Sequence, residues 1–136
     1  MARWRSLLVI LALLGLAFYG YHAAGPAKPS ATVQCADLTA PCQVHLAGQA
    51  LQLQADQSPR ALKGFKLTLR GASAPFKVRF GMVGMEMGPV AFRFVPAADG
   101  AQHASVMLPF CVQGRRDWWL LLESDTGSAM VAFTAH

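Results

Sequence analysis

Acidic residues are scarce in this chain of 136 residues. Seven Asp and Glu stand against twelve Lys and Arg, and none precedes Asp37. Two of the cations, Arg3 and Arg5, lie at the start; the other ten against seven acids leave +3 on residues 25–136. Those cations are scattered (Lys63, Lys66, Arg70, Lys77, Arg79, Arg93) and most alternate with apolar residues, as on the wet face of a strand. No dense basic run exists, so nucleic acid is not expected as a partner. There is no Cys-x-x-Cys pair, no phosphate-binding glycine loop and no histidine-pair zinc motif. Nothing in the local sequence marks a Cys–His dyad with an orienting group, so no enzyme is expected. After residue 30 no window holds helical periodicity for more than two turns, and neither repeats nor low-complexity segments occur.

Residues 7–24 carry no formal charge, and Arg3 and Arg5 stand just before them. A run of about 18–20 apolar residues is long enough to cross a bilayer core as one helix. Basic residues before a span hold that end in the cytoplasm. Tyr19, Tyr21 and His22 suit the headgroup layer. Residues 1–24 thus read as a signal-anchor in the inner membrane, with the rest of the chain in the periplasm. A cleaved signal peptide is the alternative, but it needs small residues at both the −3 and −1 positions of the cut. The −3 residue is His22 for a cut after Ala24 and Tyr21 for a cut after Ala23. Both readings export residues 25–136.

Residues 25–34 hold Pro26 and Pro29 among small residues and read as a tether. Residues 35–136 suffice for one domain with one core. Their apolar residues alternate with period two over 43–47, 51–54, 65–70 and 76–80. Further strand-like segments fall at 90–95, 104–108, 117–123 and 129–134. Asp99-Gly100 and the 124–128 stretch are turn signals. The expected fold is all-β: an immunoglobulin-like antiparallel sandwich of seven to eight strands behind one transmembrane helix.

Three cysteines are an odd number for an oxidising compartment. Cys35 and Cys42 can close a local loop, so they are the expected disulfide, leaving Cys111 as a free thiol. The stretch 81–89 holds Met82, Met85 and Met87 among three glycines. On an extended chain Met85 and Met87 point to one side and Glu86 to the other. Two thioethers side by side make a soft site, which selects Cu(I) over harder cations. His103, Met107 and Cys111 are further candidate donors, and His103 and Met107 share a strand face. Each also has a plain structural reading. Methionine fills core gaps beside aromatic rings, and His103 and His45 fit exposed strand or turn positions. Of Trp118 and Trp119, one should enter the core and the other should cover an edge or meet a partner.

Cys35-Ala-Asp-Leu…Cys42, Gly84-Met-Glu-Met-Gly88 and Leu108-Pro-Phe-Cys-Val-Gln-Gly-Arg115 form an ordered trio. Together they resemble the motifs of a group of small membrane-anchored proteobacterial periplasmic proteins. There they read approximately Cys-Asp-Leu, Met-x-Met-Gly and Leu-Pro-x-Cys-Val-x-Gly-Arg; here Ala36 stands between Cys35 and Asp37. The layout is more loosely similar to FixH-like and YtkA-like domains, which are linked with metal handling or cytochrome oxidase assembly. The first resemblance implies that Met85, Met87 and Cys111 belong to one functional unit. The expected function is a periplasmic module that binds or delivers Cu(I), exchanging it with a donor or acceptor protein, for example in respiratory oxidase assembly. The alternative is a metal-free accessory subunit of an inner-membrane complex.

Overall fold

A computed structural model describes residues 2–23 and 28–136, without the side chains of residues 2, 3, 5, 22, 23, 86, 87 and 89. One helix, α1 (Ala2–Ala23), is followed by ten strands. They are β1 (Ala31–Gln34), β2 (Cys42–Leu46), β3 (Gln49–Ala55), β4 (Gly64–Arg70) and β5 (Lys77–Met82). Then come β6 (Met85–Arg93), β7 (Val95–Pro96), β8 (Gln102–Met107), β9 (Asp117–Ser124) and β10 (Gly127–Thr134). The strands form two five-stranded sheets, in the orders β1-β10-β9-β5-β6 and β2-β3-β4-β8-β7. Every pairing is antiparallel except β1 with β10, which is parallel. The result is a β-sandwich.

Alternation decides which side chains fill it. Val44 and Leu46 of β2, Leu51 and Leu53 of β3, and Phe65, Leu67 and Leu69 of β4 face inward from one sheet. Val78 and Phe80 of β5, Trp118, Leu120 and Leu122 of β9, and Val131 and Phe133 of β10 meet them from the other. Each such side chain contributes about 1.5–3 kcal/mol of transfer free energy when fully buried. Phe80 stands edge-on to both Phe92 and Phe133, with ring centroids 6.0 and 6.2 Å away. The Cys35–Cys42 disulfide forms, and Cys111 is free and buried.

Ten strands form where seven or eight are expected, for two reasons. Residues 31–34, at the end of the stretch read as tether, pair with β10 and become β1. The 90–95 segment divides: β6 ends at Arg93, buried Phe94 turns the chain, and Val95–Pro96 joins the other sheet beside β8. The Met-rich stretch is not a loose connection either, because β6 begins at Met85 and Met82 pairs with it across a two-residue turn.

No strand packs against α1 among the described residues. Its large apolar side chains are exposed, from 53% at Ile10 to 82% at Tyr21. Among the described residues no helix is long and apolar enough to cross a membrane. The unbroken stretch with described side chains, Ser6 to Tyr21, is about 24 Å long at 1.5 Å per residue.

The strand directions give the sandwich two distinct ends. The chain enters at Ser30, whose N–H and hydroxyl both bond the Ser128 carbonyl at the start of β10. The eight residues of β10 then span about 27 Å to the far end. There β1 and β10 finish, β9 starts, and β5 turns into β6. The disulfide, the 56–63 loop and the 108–116 loop lie at this far end too.

Candidate functional site

At the far end the two motif-bearing loops meet. Gly84, at the β5–β6 turn, has φ +72°, a conformation that side chains with a Cβ adopt rarely. A Cβ there would lie 3.4 Å from a guanidinium nitrogen of Arg115, an ordinary contact distance, so Arg115 lies against the turn. The Val83 N–H donates to the Asp117 carbonyl at 3.2 Å. Arg115 in turn grips Asp117 with two bonds, Nε to Oδ1 at 3.1 Å and Nη2 to Oδ2 at 2.8 Å. That pair holds the Asp117 carboxyl below its ordinary range and raises the Arg115 guanidinium above its own. One arginine thus joins the Gly84-Met-Glu-Met-Gly88 hairpin to the Cys111 loop.

Cys111 is 9% exposed. It lines a recess of about 230 Å³ with Phe110, Arg115, Arg116, Trp118 and His136. Its carbonyl accepts the Gly114 N–H at 3.1 Å, closing the turn. Met85 is partly buried against the core edge. The side chain of Met87 lies outside the described residues. Met82 is 1% exposed and sits opposite Trp118 on β9, as a core residue.

The other two candidate donors lie on the second sheet. His103 and Met107 share the outer face of β8, as their spacing predicts, but four residues of strand separate them by about 13 Å. His103 Nδ1 shares a hydrogen bond with Thr68 Oγ1 at 3.1 Å, and Nε2 stands 3.6 Å from Asp99 Oδ1. Asp99 is held below the usual carboxylate range chiefly by the Ala101 N–H, then by His103 and Arg70. His103 belongs to the near end of β8, away from the Met85 turn. Met107, 52% exposed, lines a separate groove with Phe92. Among the described residues no group of three His, Cys, Asp or Glu side chains could hold a metal ion.

Of the tryptophans, Trp118 enters the core at 3% exposure. Trp119 lies over Gly81 on the outer face, and its Nε1–H donates to the Met82 carbonyl at 3.3 Å. The residues that sequence reasoning passes over are apolar and exposed: Leu62, Val83, Phe110 and Val112. Leu62 also has φ +57°, which costs a branched side chain about 1–2 kcal/mol. The signal for Phe110 and Val112 was present, since both lie inside the Leu108–Arg115 motif. Only the fold shows that they stay outside the core.

No protein-family model matches the chain, and no curated protein or solved structure is significantly similar to it.

Proposed function

We propose that the chain is a periplasmic Cu(I)-binding or copper-delivery module, an immunoglobulin-like sandwich tethered to the inner membrane by α1. The working surface is the far end, with Met85 and Met87 as the central ligands and Cys111 as the third donor. The observation that carries this reading is Arg115 lying on Gly84, which brings the Met-x-Met hairpin and the Cys111 loop to one end of the sandwich. The donor set fits the ion: two thioethers and a thiol are soft ligands, and soft ligands select Cu(I). The exposed apolar side chains of α1 support the anchor, because an apolar surface of that extent marks contact with lipid or with another protein. A Cu(I) competition titration on the full chain tests the reading. One ion should bind per chain, and Met85→Leu/Met87→Leu should abolish it. Unchanged stoichiometry in that folded double variant rules the site out.

A specific observation favours a second reading, a metal-free accessory module that meets a partner. Four large apolar side chains stand exposed on adjacent loops of the same end. Copurification of a membrane complex that ignores both methionine changes would select this reading.

A further inference from the structure

The far end carries an apolar tip with cations beside it. Leu62 is 66% exposed, Phe110 65%, Val112 91% and Val83 47%. Their loops are locked together. The Leu62 N–H donates to the Leu108 carbonyl at 2.9 Å, Ala61 and Phe110 line one recess, and Val83 is tied to Asp117. Leu62 is held with φ +57° while its side chain faces out. Strain of that kind persists only where surrounding structure imposes it, and it gathers at functional sites.

Cations next to this tip stand unpaired among the described residues. Of the carboxylates described at this end only Asp117 is paired with a cation; Asp37, in the disulfide loop, and Asp56, just after β3, bond neutral donors and keep their charge. Asp37 accepts from Thr39, Asp56 from the Lys66 N–H, and Asp117 from Arg115. Arg60, Lys63 and Arg116 have no acidic partner among the described residues. Arg60 and Lys63 flank Leu62, and Arg116 ends the loop that carries Phe110 and Val112; apolar residues with unpaired cations beside them complement a surface that is apolar at its centre and acidic beside it.

We infer that the far end docks a protein partner that presents an apolar hollow rimmed by Asp and Glu, with Phe110 and Val112 as the inserted residues. An anionic bilayer would offer similar chemistry. The chain, however, enters the sandwich from α1 at the opposite end, about 27 Å away along β10. The choice of a protein over lipid rests on the tethered reading above; the apolar tip and its charge do not.

The test places p-benzoylphenylalanine at position 112 of the full chain, in cells of its native host. After irradiation, adducts are recovered from the membrane and soluble fractions and sequenced. One discrete adduct with another protein is expected, mapping to an apolar segment flanked by Asp and Glu. Arg60→Glu/Arg116→Glu should lower its yield about tenfold, and the same probe at Thr32 should give none. Adducts only with lipid, adducts only with a second copy, no adduct, or a yield unchanged by charge reversal would each overturn the inference. Formation of the Cys35–Cys42 disulfide and an unchanged near-UV spectrum show that each variant folds. A chain found in the soluble fraction refutes the anchor alone, because the adduct is scored separately. The adduct should persist in Met85→Leu/Met87→Leu, which separates docking from copper.

Discussion

At the residue scale, single close approaches carry much of the far end. The Trp119 ring lies so near Gly81 that a Cβ there would overlap its Cζ2 and Cε2, and the ring is fixed by its bond to the Met82 carbonyl. Gly81→Ala should lower stability by about 2 kcal/mol, the usual cost of overpacking, and change the near-UV circular dichroism; an unchanged urea midpoint would refute this stacking. Asp117 gives a pH prediction with a definite sign. Its carboxyl is depressed by the Arg115 hydrogen bonds, so the stabilisation is complete above the ordinary carboxylate value of about 3.9. It is lost as pH falls through the depressed value. Asp117→Asn should therefore show a shallower loss of stability below about pH 4 than the parent chain. Equal slopes in pH-dependent denaturation would show that the pair adds nothing.

At the element scale, the disulfide closes a short loop between β1 and β2. Leu38 of that loop is fully buried, and its carbonyl accepts the Ala55 N–H at 2.7 Å. Cys35→Ser/Cys42→Ser should cost about 2–3 kcal/mol by loop-closure entropy, measured by urea denaturation. The unreduced, denatured parent chain should show one free thiol, that of Cys111. The principal strands were legible because alternation is a local signal: 43–47, 51–54, 65–70, 76–80 and 117–123 all correspond to strands. β1 was not legible, since Ala31 to Gln34 becomes a strand only by pairing with residues nearly a hundred positions later. The break at Phe94 was hidden for a related reason. A strand that changes sheets keeps its apolar character on both sides of the change, and only the buried Phe94 ring between the sheets marks it.

At the scale of the whole molecule, no described strand packs on α1. On the tethered proposal, deleting residues 1–24 should release the protein from the membrane fraction and leave the melting temperature of the sandwich unchanged. Full-length chain in the soluble fraction would contradict the anchor. A mature mass beginning near residue 25 would identify a cleaved signal instead. The candidate site was half legible. Its residue types and motifs stand in the sequence, including the soft donors and the Cys111 loop. Which donors share an end was settled by strand order: β5 lies between β6 and β9, so the Met85 turn meets the loop that leads into β9, while His103 falls on the other sheet.

The sequence alone determined the alternating β pattern and the charge-free N-terminal run, and it made Cys35–Cys42 the expected disulfide. Each depends on spacing within a few residues, where side-chain direction follows from backbone geometry. The tertiary structure decided what depends on distant partners. It turned residues 31–34 into a strand, buried Met82, laid Trp119 over Gly81 and set Arg115 on Gly84. It also left Leu62, Phe110 and Val112 outside the core. The physical reason is that burial is a competition for limited core volume, and its outcome depends on the whole packing rather than on a residue's own hydrophobicity.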